Sequence, residues 1–202
     1  MFPGAALIML LVAMVVPVFF VLTWLISAYN RLAMLTKAYI HAYTQLGAEL
    51  KRRYDLLLQL VETAKGCTGE DRATPEAVLA ARNAASAANL RAAHAPGDAA
   101  AMRNLGGAEA ALAATLRRLF DLAKAYPDLQ TSKAMIHLRE ELASSDLRIE
   151  AARQAYNDAV MRYNAVRVSF PNNVVATPCG FGAAEPVGAK NAGGIGEQKG
   201  SG

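Results

Sequence analysis

The sequence predicts an all-α protein: a single N-terminal transmembrane helix that continues into an antiparallel four-helix bundle, followed by a disordered C-terminal tail. Three observations predict this. Of 202 residues 42 are Ala and only 7% are aromatic, a mixture that suits close-packed helices better than a sheet. Phe2 to Asn30 contains no Asp, Glu, Lys, Arg or His. Beyond it, apolar residues recur in alternating steps of three and four almost to residue 170, the signature of helical seams.

The anchor comes first. Taking Gly4 to Ala28 as its core gives 25 residues, roughly 38 Å of helix against a hydrocarbon thickness of about 30 Å, enough to span once with tilt. Trp24 and Tyr29 stand at its end, where amphipathic rings settle at the headgroup level, and Pro17 is a candidate kink. A cleaved signal peptide fits less well: the amino-terminal flank has no basic side chain, the apolar run is too long, and bulky Ile26 occupies the position three before Tyr29. Arg31 and Lys37 follow the span, with Lys51, Arg52 and Arg53 beyond. The positive flank therefore predicts an outer N-terminus and a cytoplasmic helical domain at the cell membrane.

The soluble part of the first helix carries the stripe Leu32, Leu35, Tyr39, Tyr43, Leu46, Leu50, Leu57, Leu60, Ala64, with Arg53 falling in the same register. Gly66 is a stop. Thr74, Pro75 and Glu76 restart the chain as N-cap, first-turn proline and dipole-matched acid. The second helix, about Thr74 to Ala93, presents Val78, Ala81, Ala85, Ala88 and Ala92. Its alanine face, Ala81, Ala85, Ala88 and Ala92, suits close approach either to a helix of the same bundle or to another copy of the chain. Pro96 and Gly97 break the chain, and Asp98 caps a third helix with the seam Leu105, Leu112, Leu116, Leu119, Ala123. After Tyr126-Pro127-Asp128, Thr131 or Ser132 caps a long fourth helix whose stripe is Met135, Leu138, Leu142, Ser145, Ile149, Ala152, Tyr156, Ala159, Tyr163, Val166 and Phe170. Four such helices with short connections make an antiparallel bundle over 31–171.

The remaining 172–202 divides in two. Pro171 to Phe181 has no charge and contains Val174, Val175 and Phe181. Antiparallel helices of matching length return Phe170 to where Arg31 left, so this stretch is expected at the membrane surface or packed against the base of the first helix. Eight of the last 25 residues are Gly, and disorder is expected from about Gly182 onward.

Chemistry is sparse. The net charge of +4 and pI near 9.2 come from dispersed charges, so nucleic acid is not an expected partner. Cys67 and Cys179 form no CxxC, His41, His94 and His137 lack acidic partners at metal-binding spacing, and Gly106-Gly107 lacks the features of a phosphate loop. No catalytic residue, metal or cofactor is expected. The basic turn Lys51 to Arg53 lies roughly 30 Å along the helix from Arg31, several times a Debye length of about 8 Å, which argues against a headgroup patch. Arg53 is instead expected to pair, partly buried, with Glu140, Glu141 or Asp146 on the fourth helix and so fix its register. The tyrosines 39, 43, 156 and 163 read as amphipathic core fillers.

Two separated motifs resemble a known family. The run Leu50-Lys51-Arg52-Arg53-Tyr54-Asp55-Leu56-Leu57-Leu58-Gln59-Leu60-Val61-Glu62-Thr63-Ala64-Lys65-Gly66 is similar to the signature of LemA family proteins. So, in order and spacing, are Tyr126-Pro127-Asp128-Leu129, Leu138, Glu140, Glu141, Leu142, Arg148, Ile149, Arg153, Tyr156-Asn157, Val160, Tyr163-Asn164 and Phe170-Pro171. The likeness covers about residues 20 to 175. It departs from the family at Leu58-Gln59, where a Pro-Asn pair is usual, and at Gly66-Cys67-Thr68, where Gly-Tyr-Ala is. The resemblance implies a short outer N-terminus, one span and a helical domain, and brings no agreed activity with it. The expected function is a membrane-anchored structural or interaction protein that self-assembles or docks a cytoplasmic partner. The alternative is an enzyme or accessory subunit with a site between helices.

Overall fold

A computed structural model describes residues 3–67, 73–126 and 131–188. They form α1 (Pro3–Cys67), α2 (Ala73–His94), α3 (Ala99–Ala123), α4 (Lys133–Val168) and a short α5 (Asn172–Ala176), with no strand among the described residues. α1 alone has 65 residues, roughly 97 Å at about 1.5 Å per residue, and it passes through Pro17 without interruption. Its first part is exposed wherever its side chains are described from Met9 to Phe20. Burial starts at Ala28 and Leu32 and continues through Tyr43, Leu46, Leu50, Leu57, Leu60 and Ala64.

Contacts fix the directions of the helices. Tyr39 meets Tyr163, Tyr43 meets Tyr156, Glu49 meets Arg148 and Arg53 meets Asp146, so α4 runs antiparallel to α1. Asp55 meets Arg82 and Gly47 meets Asn89, so α2 also runs antiparallel. α3 rises again beside Arg53 at Glu109 and reaches the far end, where Leu119, Phe120 and Ala123 lie around a small apolar recess with Leu60, Ala64 and Met135. The result is the expected up-down-up-down bundle.

The seams close as their spacing predicts, with additions and corrections. Tyr54, Val61, Met102 and Val160 are buried although the three-four registers omit them. Ala85, Ala88 and Ala92 are fully buried and Ala81 half-buried within this one chain. The alanine face is therefore spent inside the bundle and is not a free surface for another copy. Its small side chains let α2 approach α1, where a Cβ on Gly47 would already touch the Asn89 side chain at 3.4 Å. Asp98 caps α3 as expected, accepting from the Ala101 amide at 2.8 Å. Ser132 holds the cap position of α4 but its hydroxyl makes no cap bond. Phe170, placed by periodicity on the α4 seam, is 76% exposed, because α4 ends at Val168 and the chain turns outward before it.

The largest correction concerns the tail. Residues 182–188 are not disordered: Ala184 and Val187 join the core, and the segment runs back along α4 as an extended strap. The rest of the expected disorder, 189–202, lies outside the described residues.

Candidate functional site

Halfway up the bundle, the basic turn and its neighbours reach three helices at once. Arg53 Nη2 lies 2.8 Å from Glu109 Oε2 on α3, and Nη1 lies 3.3 Å from Asp146 Oδ1 on α4. The next residue, Tyr54, donates its hydroxyl to Glu109 Oε1 at 2.5 Å. Asp55 pairs with Arg82 of α2 at 3.4 Å, and Arg82 Nε donates to the Tyr54 carbonyl at 3.1 Å. One turn below, Glu49 meets Arg148 Nε at 3.2 Å. Three consecutive residues of α1 thus tie it to α2, α3 and α4, while Lys51 and Arg52 face solvent.

Arg53 and Glu109 are the enclosed members, with side chains 12% and 19% exposed. Burial, reinforced by the Glu109 carboxylate, pushes the Tyr54 phenol far above its ordinary range, so it stays a neutral donor. An ion pair so enclosed contributes register more than net stability, since attraction mostly offsets desolvation. Of the acids expected to meet Arg53, Asp146 does. Glu140 is exposed and Glu141 half-buried, both more than a turn before Asp146 on α4, and Glu109 stands in their place. The sequence did carry a signal for it: Glu109 occupies the α3 seam register between Leu105 and Leu112, as Arg53 does on α1.

Below the girdle the core becomes aromatic. Tyr39 and Tyr163 rings lie 5.2 Å apart, and Tyr43 and Tyr156 5.5 Å apart edge to face, separations at which ring quadrupoles attract. Three of the four hydroxyls meet main-chain or amide oxygens. Tyr43 donates to Asn89 Oδ1 at 2.9 Å, Tyr156 to the Glu185 carbonyl at 2.8 Å and Tyr163 to the Gly182 carbonyl at 2.7 Å. Burial raises the phenol pKa of each of the four.

The asparagine following each α4 tyrosine completes the strap's attachment. Asn164 Nδ2 donates to the Ala184 carbonyl at 2.7 Å, and its Oδ1 accepts from the Ala184 amide at 3.1 Å. Asn157 holds both main-chain groups of Val187 in the same way, at 3.2 and 2.9 Å. The Glu185 amide donates to the Gly97 carbonyl at 2.9 Å. Gly97 has φ +87°, and a Cβ there would sit 3.0 Å from the Ala184 Cβ, so glycine is needed for both the turn and the approach of the strap.

At the base, the Trp24 and Phe170 rings lie 5.5 Å apart, as do those of Tyr29 and Phe181. α5 buries Asn172, Val175 and Ala176 against α1 and α4 while Val174 is 52% exposed. The uncharged stretch therefore packs on the base of α1. Arg31 is exposed just above it.

Among the described residues no three His, Cys, Asp or Glu side chains are grouped to hold a metal. His41, His94 and His137 are separately exposed, and Cys179 is a free, exposed thiol. Across the described residues α1 is the one helix long and apolar enough to cross a membrane. Comparison with curated proteins gave no match. The sequence model of the LemA family matches residues 42–193, from the tyrosine-lined part of α1 through the girdle to beyond the strap, and the chain belongs to that family.

Proposed function

We propose that this chain is a membrane-anchored structural and interaction protein, a rigid helical post on the inner face of the cell membrane that assembles with copies of itself or docks a cytoplasmic partner. The observation that carries this reading is the continuity of α1. One unbroken helix is exposed and apolar at its start and forms the central core element of the bundle from Leu32 onward. No hinge separates anchor from body, so the bundle is held upright and whatever binds it is held at a fixed height. The positive flank Arg31 and Lys37 supports a body on the cytoplasmic side. With the alanine face used internally, exposed apolar side chains remain outside the bundle, among them Leu90 on α2 at 63% and Leu147 and Met161 on α4 at 76% and 58%.

A reporter fused after Gly202 tests the topology. It is expected to be active in the cytoplasm, and the membrane fraction to retain residues 1–30 by mass spectrometry. Activity on the outer side, or a mature chain beginning near Tyr29, overturns the reading. Light scattering of the detergent-solubilised chain then measures copy number, with Leu147→Lys and Met161→Lys expected to reduce it if copies meet along α4.

A further inference from the structure

We propose that the corner between α4 and α5 is a second membrane contact, a foot whose Phe170 and Val174 enter the bilayer interface beside Trp24; the proposal rests on α1 being a membrane anchor. Depth is set by α1 itself. Arg31 is the first charged side chain after the apolar run, and Trp24 precedes it by two turns of the same helix, near the end of the span. Trp24 therefore stands at the boundary, where tryptophan is favoured. The Phe170 ring, 5.5 Å from Trp24, is carried to the same level from the far end of the chain.

The side chains at this corner sort by direction. Val175 and Ala176 turn inward and are buried, and Phe181 is half-buried against Tyr29. Val168, Phe170 and Val174 are 62%, 76% and 52% exposed, and packing of the bundle does not use those surfaces. Leu147 is equally exposed but lies at mid-height, away from the exposed apolar length of α1. The foot is instead a cluster adjoining the exposed apolar length of α1. Its charge pattern matches the bilayer too. From Val168 to Ala184 the sequence has no ionisable Asp, Glu, Lys, Arg or His. Positive charge begins at Arg167 and Arg31, the latter roughly 10 Å above Trp24, where phosphate groups lie. An apolar surface continuous with the span, ringed by cations on the side away from the hydrocarbon, takes a lipid interface as its occupant.

Trp24 is the sole tryptophan, which makes the test direct. The full chain is reconstituted in phosphatidylcholine vesicles carrying lipids brominated near the top of the acyl chain. Three forms are compared: the natural chain, Trp24→Phe with Phe170→Trp, and Trp24→Phe with Leu147→Trp. The tryptophan at 170 is expected to be blue-shifted and quenched to within about two-fold of Trp24, as interfacial indoles are, with none at 147. Quenching at 24 but not at 170 overturns the foot and leaves the anchor standing; a blue-shifted but unquenched 170 does the same and assigns the surface to a second copy. No quenching at 24 overturns the anchor and the foot together. Equal quenching at 147 and 170 means that the bundle lies flat on the membrane, which also overturns the foot.

Discussion

The half of the bundle far from the exposed apolar end of α1 and the half near it are built differently. In the far half all four long helices are present, and the core is aliphatic: Leu57, Leu60, Leu112, Leu119, Met135 and Leu138. In the near half α2 has ended at His94 and α3 has not begun until Ala99, so only α1 and α4 continue to the base. Two helices cannot cover each other's apolar stripes; the strap 182–188 starts below the α2–α3 turn, passes that turn where Ala184 approaches Gly97, and ends beside α3 with Gly188 against Gly106. Ordering the strap costs about 1 to 2 kcal/mol per residue, offset by hydrogen bonds of about 1 kcal/mol each and by burial of Ala184 and Val187. The strap also explains the change in core chemistry. A strap offers main-chain carbonyls and amides that need partners, and tyrosine fills core volume while bringing a hydroxyl to meet them. The far half is thus held by packing that many sequences satisfy, and the near half by polar reach that few do.

Alkaline pH is expected to break this comparison with the largest effect. Burial raises the phenols of Tyr39, Tyr43, Tyr156 and Tyr163 above the ordinary value of 10.0 in the near half, whereas Tyr54 is the one raised phenol at the girdle. Below pH 10 these groups are neutral both folded and unfolded, and their contribution is intact. Above it the unfolded chain releases phenol protons that the folded chain retains, so stability falls as pH rises toward the folded values, most steeply through the strongly raised Tyr43 and Tyr156, by up to about 1.4 kcal/mol per pH unit for each of these two. Urea midpoints measured from pH 9 to 11.5 should fall steeply. Tyr43→Phe and Tyr156→Phe should each flatten the slope by one phenol's share, and unchanged slopes would show that the ladder is open to solvent.

At the boundary between the halves, Arg53→Ala leaves Glu109 half-enclosed without its cation and is expected to cost about 2 to 3 kcal/mol, the lower part of the range for stranding one half of a buried pair because water reaches the site. Arg52→Ala, on the exposed side of the same turn, should cost under about 0.5 kcal/mol. Thermal unfolding of both variants measures the contrast. Equal small losses would make the girdle a surface feature and remove it as the link between the halves.

How much of this is legible in sequence divides along the same line. The far half is written in periodicity: the steps Leu50, Leu57, Leu60, Ala64 and Leu105, Leu112, Leu119 name their helices and their buried faces. Arg53 within a seam announces a buried partner, and Asp146 was within reach of that reasoning. Glu109 carried the same signal by its place in the α3 seam register, but an acid in another helix's seam is singled out as the partner only once the angular positions of the three helices are known. The near half reads poorly because its decisive contacts run from side chain to main chain. Ala184 and Val187 in a Gly-rich segment carry no apolar run, so composition indicates disorder, and nothing local shows that Tyr156-Asn157 and Tyr163-Asn164, one heptad apart, hold a groove ready for them. The alanine face of α2 was legible as a close-contact surface, but pattern alone could not say whether its neighbour belonged to the same chain.

The smallest expected effect sharpens the comparison most. Asn164→Ala removes one donor and one acceptor from Ala184, two part-buried bonds, and the global cost is expected at about 1 to 2 kcal/mol. The loss should be local. Hydrogen exchange at the amides of Ala184 and Val187 is expected to accelerate, while amides around Leu57 and Leu112 keep their natural protection, as in separately opening units. Asn164→Asp gives the sign a second check. The carboxylate keeps the acceptor for the Ala184 amide but sets negative charge against the Ala184 carbonyl that Nδ2 now reaches at 2.7 Å, so at neutral pH it should open the strap further than Ala does. Acidification should reverse that, because a protonated Asp regains a donor for the same carbonyl. If Asn164→Ala instead lowers protection in both halves alike, the bundle opens as one unit, and the strap is as much a part of its core as the helices it packs against.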